Sequence, residues 1–288
     1  MSKEILLGAF LAALTVTSCS GQQSDDPRPV FPEAEAPTQF TRAYSLTESA
    51  DGQVRVFAKE DGDETWLYEV RREGKSWSKP QRMELPARKM LTGPSFSAAD
   101  GALYYASDEE LPEMPGRKDL NLWYVPLEDG VWGTPKPVPG DVNTGANETM
   151  AAISANGLMV FVSNHSQLGG GGYEMAEARQ DQNGNWVMQR PLDELNDIRT
   201  NDHVALTADG KRLFFYSHRS PKLGVVDIWT SQKLDDGSWG EPVNPGEPLN
   251  TSGIDFGAGL SADGETLFFS RDGALYEMPF KALHLTQP

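Results

Sequence analysis

The chain has 288 residues and a formal net charge of −17, with 42 acidic against 25 basic residues and no run of Lys or Arg. That balance excludes the attraction on which nucleic-acid binding and adhesion to an anionic membrane surface depend, because both need clustered cations. The only cysteine, Cys19, excludes an internal disulfide framework, so the domain must stand on a hydrophobic core, for which about 250 residues are ample.

Residues 1–18 read as a lipoprotein signal peptide. A lone Lys3 precedes an apolar run from Ile5 to Val16, too short to span a bilayer, and Val16-Thr17-Ser18-Cys19 resembles a bacterial lipobox. The resemblance implies cleavage before Cys19 and acylation of that residue. Ser20, standing where Asp would retain the protein at the inner membrane, implies the periplasmic face of the outer membrane. The competing reading is an ordinary signal peptide with an incidental cysteine. Residues 19–27 form a polar tether without apolar side chains, and residues 28–288 form the folded domain.

Within that domain one set of signals recurs. Asn/Asp-Gly turns fall at Gly52, Gly101, Gly157, Gly210 and Gly264, spaced 49, 56, 53 and 54 residues apart. Trp77, Trp132, Trp186 and Trp239 keep the same beat, at 55, 54 and 53. A period near fifty indicates a ring or a solenoid. Short runs such as Val160-Phe161-Val162, Leu213-Phe214-Phe215-Tyr216 and Leu267-Phe268-Phe269, each following a turn, read as strands. Four such runs fit each unit, which predicts an all-β, five-bladed β-propeller of four-stranded antiparallel blades. Small residues at Ala151-Ala152, Val204-Ala205 and Gly257-Ala258-Gly259 suit innermost strands that converge on the axis.

The fifth unit ends near Tyr276-Glu277-Met278 without the Trp-x-x-Pro of the others. Pro29 precedes Gly52 by 23 residues, much as Pro80, Pro135, Pro191 and Pro242 precede the next turn glycine by 21, 22, 19 and 22. The N-terminal segment Pro29-Val30-Phe31-Pro32 is therefore expected to supply the missing outer strand. The alternative is that Leu283-His284-Leu285-Thr286 turns back to do so.

Ser-Ala-Asp-Gly-x-x-Leu-Phe-Phe-Ser at 261–270, Ser217-His218-Arg219, Gly169 to Glu174 and Asp227-Ile228-Trp229 resemble the WD-like propeller repeat of the TolB type, over roughly residues 40–288. The resemblance implies the fold. It leaves function open, because such repeats serve binding proteins, peptidases and polysaccharide lyases. TolB places a separate α/β domain before its propeller and none is read here, so its partners are not carried over.

Candidate chemistry lies at one end of the ring. Glu60, Glu109, His165, His218 and Asp272 each stand eight residues after a turn glycine, where second strands end. They are expected to diverge too far to share an ion, which favours solvated loop ends over a ligand role. Glu148 and Asp255 lie nine residues before the turn glycine and Asp202 eight, placing all three at the start of an innermost strand near the axis. Asn143, Asn196 and Asn250 lead into that approach and are expected to hydrogen-bond the connections between blades. Glu148, Asp202, Asp255, His165 and His218 are thus the candidate ligand-binding residues, and Cys19 the candidate lipidation site. No metal or cofactor is assigned.

Gly169 to Gly172 lacks the strand and helix that a phosphate cradle needs, Asp61 to Trp66 departs from the sialidase Asp-box spacing, and no Gly-x-Ser-x-Gly elbow occurs. His203 and His218 are the one histidine pair expected to lie close. The reading is a lipid-anchored module of the cell envelope that binds an envelope protein or a glycan ligand, touches the membrane through its anchor alone and takes no nucleic acid. The alternative is a glycan-active hydrolase or lyase with its site at the axial mouth.

Overall fold

A computed structural model describes residues 24–31, 42–168, 172–197 and 201–285. The segment expected to be a signal peptide and Cys19 lie outside the described residues, as do Pro32 and Gly169 to Gly171. The described residues form five antiparallel blades around one axis, with two short 3₁₀ turns and no α-helix. The innermost strands are Ala43–Glu48, Leu91–Phe96, Glu148–Ile153, Asn201–Leu206 and Asp255–Leu260. Each pairs with a second strand and that with a third, so every blade is a meander running outward. We call the end where inner strands begin the upper end, and the end carrying the Asp-Gly turns the lower.

The repeated turn explains the period. In each blade a Ser or Thr hydroxyl and an Asp or Asn side chain share the backbone donors of the reversal. Ser261 Oγ donates to Asp263 Oδ1 at 2.6 Å and accepts from Thr266 N at 3.0 Å, while Glu265 N donates to Asp263 Oδ1 at 3.0 Å. Ser49/Asp51, Thr207/Asp209 and Ser154/Asn156 repeat the arrangement. Glycine follows because the next residue is left-handed, with φ of +66° to +74° at the five turn glycines.

Outer strands vary. Blade three has a full one, Trp186–Pro191, whereas blade two has Lys136–Pro137 and blade one Gln81–Arg82. Blade four departs from the expected four strands. Its outer run shrinks to one bridge between Thr230 and Val243, because Pro245, at the next bonding position, offers no N–H to the ladder and Asn250 takes the backbone of Ile228 instead. Blade five takes its outer strand from the N-terminal segment: Arg28 faces Glu277, Pro29 faces Tyr276, and Val30 N donates to Leu275 O at 3.0 Å. The C-terminal segment instead forms a 3₁₀ turn, Phe280–Leu283.

The core is divided among the seams between neighbouring blades. At the seam of blades five and one, Val30 packs with Ala43, Leu46, Phe57, Phe268 and Leu275, and the Phe31 ring lies 5.6 Å from Phe57. Arg55 crosses this seam, donating to Glu48 at 2.7 Å with its guanidinium 4.4 Å from Trp77 and 4.6 Å from Phe268. A chain starting at Ala36 loses the outer strand together with Val30 and Phe31. It is expected to lose about 2–4 kcal/mol of stability, from the buried apolar area alone, and to self-associate through the bared edge. A urea midpoint and sedimentation behaviour equal to those of the intact chain would show that the strand contributes nothing.

Candidate functional site

The two ends of the axis differ in chemistry. At the upper end the strand starts place Glu148 opposite Ser163 and Asp255 opposite Arg271. Both carboxylates are fully buried. Glu148 accepts from Thr144 N (3.0 Å), Thr144 Oγ1 (2.7 Å) and Ser163 Oγ (2.8 Å). Asp255 accepts from Arg271 Nε (2.7 Å), Thr251 N (2.7 Å) and Thr251 Oγ1 (2.9 Å). Each carboxylate thus fastens the turn four residues ahead of it, Glu148 with both oxygens and Asp255 with Oδ2 while its Oδ1 holds Arg271.

The register equivalent of these two in blade four is Asn201, opposite Ser217, and not Asp202. Asp202 pairs with Tyr216 and points to the other side of the strand, as period-two alternation requires. Its Oδ1 accepts from Thr149 Oγ1 of blade three at 2.9 Å and from His203 N at 2.7 Å. The expected trio therefore divides into two groups.

Asp202 leads into a cluster around His203, which the sequence paired with His218 and not with the rings that surround it. His203 adopts the left-handed region, φ +51°, at a bulge where other blades carry Ser45, Gly93 and Gly257. Its ring lies 5.4 Å from Tyr44, 5.2 Å from Tyr216 and 5.2 Å from Phe256, and Tyr44 lies 5.6 Å from Phe256. Blades one, four and five thereby close the upper end with packed rings. His203 Nδ1 is buried without a hydrogen-bond partner, 3.9 Å from Asp202 Oδ1. Burial holds the imidazole below its usual range, and the Asp202 charge works against that shift. The sequence signal that could have singled out this residue is its alignment with Ser45, Gly93 and Gly257.

The ends of the second strands do not converge. His218 is exposed, its ring 6.0 Å from Tyr216, so Tyr216 lies between the two histidines of blade four. His165 is half-buried and its amide donates to Ser163 Oγ. Glu60 pairs with Arg42 at 2.7 Å, and Asp272 accepts from Ile254 N at 3.0 Å. Among the described residues no group of three or more His, Cys, Asp or Glu is placed to hold a metal ion. The lead-in asparagines bracket third strands: Asn143, Asn196 and Asn250 bond both N–H and C=O of Leu122, Met175 and Ile228 at 2.7–3.0 Å.

The lower end is open. A cavity of about 280 Å³ runs along the axis, lined by Leu46, Phe96, Met150, Val204, Leu206 and Leu260. Its rim carries one exposed alanine per blade, Ala50, Ala98, Ala155, Ala208 and Ala262. Backbone bonds join neighbouring turns there, from Ala98 N to Ile153 O at 3.0 Å and from Ala155 N to Ala208 O at 2.8 Å.

Burial pushes the Glu148 carboxyl up to about 7, against the lowering effect of its hydrogen bonds from Thr144 and Ser163. A folded value raised above the unfolded 4.5 stabilises the fold fully at pH below 4.5, and this contribution is lost as pH rises through about 7. The loss is worth about 3 kcal/mol. Glu148→Gln, which keeps the shape and one of the two accepting oxygens, is expected to remove this slope from the stability-versus-pH curve; an identical slope in both proteins would show that Glu148 titrates normally.

No protein-family model and no curated protein matches the chain. Solved structures do. A TolB from Agrobacterium tumefaciens matches 80% of this chain and 70% of its own at 15% identity and a TM-score of 0.50. An α-L-arabinofuranosidase from Lactobacillus brevis matches 87% and 94% at 14% identity and 0.51, and a glycoside hydrolase matches 88% and 90% at 10% identity and 0.54. At such identities the likeness concerns fold, and the fold is a β-propeller of the TolB type.

Proposed function

We propose that the protein is a binding module of the cell envelope, held to the membrane through an acylated Cys19. The observation that carries this reading is the state of the upper carboxylates. Glu148 spends both oxygens on Thr144 and Ser163, Asp255 spends one on Thr251 and the other on Arg271, and the axis beside Asp202 is filled by Tyr44, His203, Tyr216 and Phe256. A hydrolase of the two-carboxylate type needs opposed acids with space between them for sugar and water. A broad upper rim, formed by His165, His218 and the exposed Leu223, Val225 and Ile254, suits recognition of an envelope protein or a glycan.

Topology supports an orientation. The outer strand of blade five runs antiparallel to Ala274–Pro279, so the N-terminal segment joins the ring at the lower end. An acyl anchor at Cys19 then sets the lower end toward the membrane and the upper rim away from it. The rival reading, a glycan-active enzyme, rests on Glu148, whose carboxyl near 7 is that of a general acid. Release of reducing ends from cell-envelope glycans by the wild type but not by Glu148→Gln would establish it.

Cys19→Ser is expected to block acylation and leave the protein unprocessed, with residues 1–18 retained in its mass, or only loosely held at the membrane, because stable attachment needs more than one chain. Unchanged mass and fractionation would refute the anchor. For the binding reading, cross-linking through a photoreactive group at position 218 should trap an envelope protein or glycan. Trapping no more than a propeller-free control would sink it.

A further inference from the structure

We infer that the lower axial cavity is a second binding site, one that takes a basic peptide segment by admitting a single bulky apolar side chain. The inference rests on the binding-module reading but concerns the opposite end of the ring. Its volume, about 280 Å³, lies just below the roughly 300–1,000 Å³ of pockets that enclose a drug-sized ligand, which suits one large side chain and not a whole molecule. Most of the polar side chains of the lining are already engaged, although Ser95 adds a hydroxyl to it. The hydroxyls of Thr207 and Ser261 are bonded within their own turns, Thr47 Oγ1 accepts from Phe96 N, and Glu48 is paired with Arg55. Beside Ser95 and backbone groups, what remains are the methyls of the alanine rim and the apolar ring beneath it, a surface that rewards burial of apolar area.

Charge at the rim selects what flanks that side chain. The turn tips carry Asp51, Asp100, Asp209, Asp263 and Glu265 against Lys211 and Arg212. Hydroxyl bonds from Ser49 and Ser261 hold the carboxyls of Asp51 and Asp263 below their usual range, so they stay ionised. These carboxylates are also held in place by their turns; Asp263 lines the opening itself, the other acids stand on the turns beyond it, and fixed negative charge beside an apolar opening favours an apolar residue flanked by Lys or Arg. The nine residues from Cys19 to Arg28 can span up to about 30 Å, which leaves a membrane-side partner room to reach the opening.

Blade three supplies the control. Asn156 stands where the others have Asp and makes the same turn, accepting from Ser154 Oγ at 2.8 Å and from Leu158 N at 3.2 Å. Changing Asp51, Asp100, Asp209 and Asp263 together to Asn therefore removes four charges while keeping the turns. The probes are labelled peptides of sequence KKWKK, EEWEE and KKGKK, titrated by fluorescence anisotropy against the full chain at low salt. KKWKK is expected to bind at least about tenfold more tightly than either of the others, with an advantage over EEWEE that shrinks as salt rises. The four-Asn variant, at an unchanged melting temperature, should lose that advantage, and Ala208→Phe, which fills the rim, should weaken KKWKK about tenfold. Equal binding of KKWKK and KKGKK, or undiminished binding to Ala208→Phe, would overturn the site. Preference for EEWEE would overturn the charge class. Each of these results leaves the upper-rim cross-linking outcome, and with it the binding-module reading, untouched.

Discussion

Five parallel inner strands crowd around one axis, and the room between them governs everything built on the ring. A Cβ at Gly259 would lie 2.0 Å from Leu46 O, and one at Gly93 would lie 2.2 Å from Thr149 O. Both contacts join neighbouring blades, so the absence of a side chain there is what lets the seams close. The same crowding accounts for the bulge near the start of each inner strand, which turns one residue left-handed in four blades and re-aims its neighbours. Gly93 and Gly257 accept that geometry freely. His203 does not, since a side chain in this region costs on the order of 1–3 kcal/mol. Its ring is held by Tyr44, Tyr216 and Phe256, and a strained, unpartnered histidine at the end of the axis is where the fold's local rules give way.

Most of the polar side chains that repeat along the chain satisfy backbone. The Ser/Thr–Asp pairs saturate the turns, the asparagines bracket third strands, and Glu148 and Asp255 bind the amides and hydroxyls of Thr144 and Thr251. Asp227 does the same for Leu223 N and Gly224 N at 2.7 and 3.0 Å. Connections in a propeller lie where no ladder can pair them, and an unpaired buried N–H costs as much as a lost hydrogen bond. A repeat therefore keeps the residues that answer this need, and periodicity in a polar residue marks scaffold more readily than function.

That distinction explains what could be read from the sequence. Turn glycines, tryptophans and small inner-strand residues carry the fold because each answers a constraint repeated in every blade. The pairing of Arg28–Pro29 with the last blade was legible for a related reason: its spacing to Gly52 nearly matches that of the other outer prolines. Blade four's loss of an outer strand was harder to see, since Pro242 alone is shared with the other blades and only Pro245 completes the break. Counting from the turn glycine placed Asp202 one residue off Glu148 and Asp255, and in a strand one residue is a whole face. The rim of alanines escaped notice because alanine carries no chemistry of its own. Only a ring brings five of them together.

Binding and catalysis make opposite demands on a buried carboxylate. A catalytic acid must keep one oxygen toward the space where the substrate sits, whereas a scaffold acid is stable only when no oxygen is left over. Glu148 meets the second condition, and its high proton affinity follows from burial without implying a task. Asp202 differs in kind: its contacts reach across a seam to Thr149 and up its own strand to the His203 amide, leaving the imidazole beside it unpaired. A seam-crossing carboxylate couples the positions of two blades to whatever meets it. Asp202 therefore ties blades three and four to each other, whereas Glu148 and Asp255 fasten turns of their own blades.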